Sequence, residues 1–165
     1  MICRMPNNYA FIDSQNLNLG IQRLGWKLDW TKFHSLLTER HRVSVAYLFV
    51  GYLPKYGGMY ESLRRSGFTL IFKEIIERED EKPKGNVDAE LVLQAMIDFA
   101  TYDKAIIVTS DGDFACLVRH LNENGKLERV LSPNRAKCSV LLKKAAQGRM
   151  RYLEDVREKI EYLKK

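Results

Sequence analysis

The chain has 165 residues and a formal net charge of +6, with 45% hydrophobic and 29% charged residues. That balance describes one soluble domain, 1–165, with a proper core, and excludes a disordered or fibrous chain. No apolar run approaches the roughly 20 residues of a membrane span, and the start, MICRMPNNYAFID, lacks a signal-peptide pattern, so the expected location is cytoplasmic and off the membrane.

NYAFID (8–13) reads as the first strand. Asp29 is the expected N-cap of a helix over 30–39, because Trp30, Phe33, Leu36 and Leu37 recur at helical spacing. VSVAYLFVGY (43–52) is β-branched and aromatic and predicts a buried strand. GMYESLRRSGF predicts a short helix stopped by Gly67, and FTLIFKEI (68–75) a third strand. Residues 77–86, EREDEKPKGN, are charged and contain Pro83 and Gly85, which predicts a mobile loop.

VDAELVLQAMIDFATY (87–102) predicts a long helix and KAIIVTS (104–110) a fourth strand. DFACLVRHLNEN predicts a helix closed by Gly125, LERVLS (127–132) a fifth strand and SVLLKKAAQ a short helix. RMRYLE suggests a short sixth strand, and DVREKIEYLKK a final amphipathic helix. Alternating strands and helices imply a parallel sheet of five or six strands covered on both faces, an α/β/α sandwich.

Cys3, Cys116 and Cys138 form no CxxC pair and read as reduced thiols, with Cys116 expected on a buried helix face. His34, His41 and His120 are scattered and read as surface or packing residues. The charge is uneven. Residues 129–153 contain Arg129, Arg135, Lys137, Lys143, Lys144, Arg149 and Arg151 and no acid, which accounts for the whole basic excess. Such asymmetry suits a polyanion partner, although a solvated helix face has the same composition.

The chemistry concentrates in four acids. Asp13 ends the first predicted strand in FIDSQN, and Asp111 ends the fourth in IIVTSDGDF, two residues before Asp113. In open parallel sheets, ligands bind beyond the carboxyl ends of strands where the strand order reverses, so Asp13 and Asp111 meet if the first and fourth strands are neighbours. Asp88 starts the long helix in line with Val92, Ala95 and Phe99. Acids favour a first helical turn, which accounts for Asp88 and Asp113 without any chemistry; Asp13, at a strand end, fits that explanation poorly. Several carboxylates in one cleft need a cation, and Mg²⁺ or Mn²⁺ takes oxygen ligands. Asn16 adds an amide, Ser110 a hydroxyl, and Gly112 is expected to let the chain turn between the two acids.

FIDSQNL (11–17), KGNVD (84–88) and TSDGDF (109–114) together resemble the three signatures of the NYN domain, and more narrowly the LabA-like group of the PIN-like nuclease superfamily. The resemblance spans about residues 9–131. It implies a sheet ordered 3-2-1-4-5 and a metal site of Asp13, Asp88, Asp111 and Asp113, with Asn16 and Ser110 alongside. Ser14 and Gln15 stand where many relatives have glycine and an acid, which leaves the ligands intact but bears on substrate fit.

It also implies metal-dependent hydrolysis of RNA phosphodiesters. In that reading the four acids are the catalytic residues, Asp13 and Asp111 the core ligands, and Asp88 and Asp113 bind through water or act as base. Lys84 would reach a phosphate; Arg135, Lys137, Lys143, Lys144, Arg149 and Arg151 would follow the backbone of single-stranded RNA. Tyr52, Tyr56 and Tyr152 are candidates for base stacking, with ordinary packing the competing reading. The alternative is a non-catalytic RNA-binding or regulatory module that keeps the acidic site. A Toprim-type domain wants a glutamate at Asp13, and a haloacid-type phosphatase an aspartate at Gln15. A homodimer stays open.

Overall fold

The computed structural model describes residues 3–75 and 86–165. The expected loop over 77–86 lies outside the described residues except for Asn86, and so does Lys84. The strands are β1 (Asn8–Asp13), β2 (Val43–Tyr52), β3 (Thr69–Glu74), β4 (Ala105–Val108), β5 (Leu127–Ser132) and β6 (Met150–Tyr152). They form one sheet in the order β3-β2-β1-β4-β5-β6, with every pairing parallel. The order reverses between β1 and β4, where Ile12 lies opposite Val108. This is a three-layer α/β sandwich with a PIN-like strand order.

The helices are α1 (Ser14–Gln22), α2 (Trp30–His41), α3 (Gly57–Arg65), α4 (Asp88–Ile97), α5 (Ala115–Glu123), α6 (Val140–Ala146) and α7 (Arg157–Ile160). Side-chain alternation along the strands divides the core in two. Ala10 and Ile12 pack under Leu17, Phe33, Leu37 and Ile160 from α1, α2 and α7. Phe11 faces the other way, against Leu91, Val118 and Leu142 from α4, α5 and α6. The central strands are buried on both faces, as a covered parallel sheet requires; all four residues of β4 are fully buried.

Several sequence expectations change here. Helix α1 was not anticipated: it follows β1 directly, capped by Asp13, whose carboxylate accepts the Asn16 N–H. Helix α4 stops at Ile97 instead of reaching Tyr102. The Asp98 carboxylate is taken up by Tyr47 and Gln94 at 2.8 Å each, and the Tyr102 hydroxyl donates to the freed Ala95 carbonyl at 2.8 Å.

The helix expected from Asp113 (DFACLVRHLNEN) opens instead as a 3-10 turn, Gly112–Phe114, and is α-helical only from Ala115. The expected final helix shrinks to a 3-10 turn (Leu153–Val156) and α7. Beyond it the backbone pairs with the segment before α2: Asp29 N–H donates to Ile160 O at 2.8 Å and Tyr162 N–H to Lys27 O at 2.9 Å. Cys116 is exposed rather than buried, and Cys138 is the buried thiol. Among the described residues, no helix is long and apolar enough to cross a membrane.

Candidate functional site

Asp13 closes β1 and Asp111 follows β4, so the two acids leave the sheet side by side at the point of strand reversal. Asp88 arrives from the opposite layer as the first residue of α4. One carboxylate oxygen from each of Asp88, Asp111 and Asp113 falls within a sphere of contact in which all three atoms lie within 4.8 Å of one another. Asp13, Asp88 and Asp111 line a common cleft of about 430 Å³ together with Asn16, Ser110, Asn134 and Lys137.

The surroundings hold these acids in place. The Asn16 side-chain oxygen accepts from both the backbone N–H and the hydroxyl of Ser110, each at 2.9 Å, and so ties α1 to the end of β4. Asp111 caps the turn that follows it, its carboxylate accepting the Asp113 N–H at 2.9 Å. Its own N–H donates to the Thr109 hydroxyl at 3.1 Å. The Asp88 N–H donates to the Asn86 side chain at 2.8 Å. Ser14, in the first motif, turns away from the cleft and donates to the Phe49 carbonyl at 2.7 Å, whereas Gln15 lines the cleft.

Gly112 is needed for space. A Cβ there would collide with the Ser139 hydroxyl and lie 3.1 Å from Ser139 Cβ. Its φ is not in the left-handed region, so close approach by α6, rather than a special turn, excludes a side chain.

The electrostatics reflect crowding. Burial pushes the Asp13 carboxyl up to about 6; the Asn16 N–H opposes this, and the Asp88 and Asp111 charges add to it. The Asp88 carboxyl is raised too, first by burial and then by Asp111 and Asp113, against Asn86 and Lys73. Asp13 therefore has a reason to exist as a helix cap, contrary to the expectation drawn from its strand-end position. A cap alone does not call for a carboxyl that is 7% exposed and faces two others. The donor set is all carboxylate oxygen with amide and hydroxyl neighbours, which fits a hard divalent cation.

The basic residues scatter. Lys137 lines the acid cleft, as does Arg23. Arg135 is held by Asp155 at 2.7 and 3.0 Å, and its guanidinium lies 4.1 Å over the Tyr152 ring. Lys143 and Lys144 stand on α6. Arg149 immediately precedes β6, and Arg151 lines a different groove. Tyr52 stacks on Tyr60 with ring centroids 5.7 Å apart, and Tyr56 is exposed beneath Lys55.

Asn134 was not anticipated. It is buried beside the cleft, its side-chain oxygen accepting the N–H groups of Ala136 and Lys137 at 2.9 and 3.3 Å. Its position just after β5, one strand from Asp111, was the available signal. Arg23 gives no such signal, because helix α1 itself was not anticipated.

With this geometry established, comparison with known proteins gives the class. Residues 9–154 match the family model of the NYN domain, and the chain belongs to that family. A crystal structure of a protein of unknown function from Vibrio parahaemolyticus superposes with a TM-score of 0.78, at 23% identity, over 98% of this chain and all of that one. At that identity the likeness speaks for the fold. No curated protein matches the chain. Family membership places the chain in a nuclease-like superfamily, and the acidic cluster can hold a metal.

Proposed function

We propose that this chain is a metal-dependent ribonuclease of the LabA-like group that hydrolyses phosphodiester bonds of single-stranded RNA in the cytoplasm. Asp13, Asp88, Asp111 and Asp113 would hold Mg²⁺ or Mn²⁺. The observation that carries this is the meeting of the Asp88, Asp111 and Asp113 oxygens within 4.8 Å, beside the buried Asp13, at the strand reversal. Uncompensated, that arrangement is repulsive.

When bound, such an ion acidifies a water for in-line attack and offsets charge on the scissile phosphate. The chain's own residues do the rest. Asn16 fixes Ser110, and through it the end of β4 that carries Asp111. Asp113 is exposed, with a carboxylate oxygen within 4.8 Å of those of Asp88 and Asp111, and would accept a proton from the attacking water. Lys137 and Arg23 supply positive charge at the cleft for phosphates flanking the cut.

The test is cleavage of end-labelled single-stranded RNA with Mg²⁺ or Mn²⁺, set against EDTA and the variants Asp13→Asn and Asp111→Asn. Cleavage should need the ion and fall by at least a hundredfold in either variant. RNA that binds but is never cut with either ion would overturn the enzyme reading and favour the non-catalytic RNA-binding module.

A further inference from the structure

The acid cleft leaves part of the basic excess unexplained. Arg129 and Arg151 belong to neighbouring strands on one face of the sheet, Arg151 opposite Leu131 and Arg129 two residues before it. They line a groove of about 320 Å³ with Arg40, which comes from the last turn of α2. This groove shares no residue with the acid cleft.

The acids in the groove are already engaged. Asp155 takes the Arg135 guanidinium in a two-pronged contact, and Glu128 lies 4.0 Å from Lys104. Among the described residues, no carboxylate lies within 4.0 Å of a charged nitrogen of Arg40, Arg129 or Arg151. Arg129 and Arg151 each spend one terminal nitrogen on backbone carbonyls, which fixes the side chain and leaves the other guanidinium donors for a ligand. His41, in the same groove, has its pKa lowered by burial, with the Arg129 and Arg40 charges adding to this and Glu128 opposing it.

Three arginines line this groove against Glu128 and Asp155, and none of the three is ion-paired among the described residues, a balance that favours an anion. A second groove, of about 460 Å³, shares Arg40, His41 and Glu128 with the first and adds Arg42, just before β2, beside two pairs, Lys104 with Glu128 and Arg4 with Asp103. The basic surface therefore continues beyond the span of one phosphate group. We propose that this double groove binds the backbone of a single polynucleotide strand at a site separate from the acid cleft, with Arg40, Arg129 and Arg151 contacting consecutive phosphates. The choice of RNA as the strand rests on the reading of the acid cleft as a ribonuclease centre. Binding in this groove needs no divalent ion.

The experiment measures anisotropy of labelled single-stranded RNA of 6 and 24 nucleotides in EDTA, so that binding is read apart from cleavage. The wild-type chain should bind the longer strand more tightly. Arg40→Gln/Arg129→Gln should lose about tenfold in affinity for it, and the slope of log affinity against log salt should fall by about 0.7 for each lost phosphate contact. An unchanged slope and affinity in the double variant would overturn the proposal. So would displacement of both RNAs by millimolar inorganic phosphate with no dependence on length, or binding to phosphatidylserine vesicles but not to RNA. A second readout needs no variant: backbone amide shifts of Arg40, His41, Arg129 and Arg151 in the wild-type chain should move on titration with the 24-mer. If they stay fixed while RNA binds, the groove is not the site. Absence of cleavage in the separate Mg²⁺ assay would leave this binding result standing.

Discussion

Asn16 and Ser110 are 94 residues apart in the chain, yet one Asn16 oxygen accepts both the N–H and the hydroxyl of Ser110. This contact joins the helix that follows Asp13 to the strand end that precedes Asp111. Asn16→Ala leaves both Ser110 donors without their partner in a partly buried place, so it should cost about 1–3 kcal/mol in urea unfolding. Asn16→Asp keeps an acceptor but adds a carboxylate to the cleft. That variant should lose stability relative to the wild type without divalent ions and regain the difference with them, whereas the deficit of Asn16→Ala relative to the wild type should persist in both conditions. Equal behaviour of the two variants with and without ions would separate Asn16 from the acidic centre.

The raised Asp13 carboxyl links stability to pH with a definite sign. Unfolded, Asp13 ionises near 3.8; folded, near 6. The folded state therefore holds the proton more tightly, and its contribution to stability is full below about 4, declines between about 4 and 6, and is lost above, by about 2–3 kcal/mol at 1.36 kcal/mol per unit. In EDTA, thermal unfolding should show this decline in the wild-type chain and not in Asp13→Asn, which should be the more stable of the two at pH 7.5. A divalent ion that binds only the wild-type site reverses the order once it adds more than this loss, about 4.1 kcal/mol at 1,000 times its dissociation constant. A wild-type chain that outlasts Asp13→Asn in EDTA at pH 7.5 would contradict the crowding of the cleft.

Gly112→Ala tests how closely α6 approaches the acid loop. The added Cβ meets Ser139, whose N–H is bonded to the Ser110 carbonyl at 3.1 Å, so neither side gives way easily. A loss of about 1–3 kcal/mol is expected, with a parallel fall in cation affinity as Asp111 and Asp113 are pushed apart. Ser139→Gly removes the colliding atoms, and in a double-mutant cycle it should recover part of the Gly112→Ala loss. Strictly additive effects would mean the two residues do not touch.

What the sequence disclosed follows from how local each cause was. Strands such as AIIV and VSVAYLFVGY were legible because β-branched apolar runs buried on both faces have few other uses. Helix α1 was hidden because SQNLNLGIQ has only Leu17 and Ile21 as large buried anchors among polar residues. The final helix was over-read for the opposite reason: REKIEYLKK has helical composition, but the backbone beyond Ile160 is captured by Lys27 and Asp29, far away in sequence. The acids were legible only jointly. The place of Asn134 depends on tertiary burial, which no local pattern reports.

Thiol chemistry checks the one buried side chain that was assigned to the wrong cysteine. Cys116 and Cys3 are exposed and Cys138 is buried beneath α6 against Met150. Ellman's reagent should titrate two thiols in the native chain and a third only on unfolding. Cys116→Ser should remove one of the two fast thiols and leave stability within about 0.5 kcal/mol. Three fast thiols in the native state would place the β6 edge and α6 apart.

Lys137 separates substrate binding from chemistry at the proposed ribonuclease site. It lines the acid cleft on a loop whose N–H is held by the buried Asn134, while its ammonium makes no ion pair among the described residues. A cation that contacts the RNA equally in the ground and transition states contributes to KM alone. Lys137→Gln should therefore raise KM for RNA about tenfold with kcat within twofold, and reduce the salt slope by about 0.7, the value for one phosphate contact. Asn134→Ala, which frees the whole loop, should lower kcat as well. A Lys137→Gln effect confined to kcat would instead assign the ammonium to charge that develops only as the phosphate is attacked.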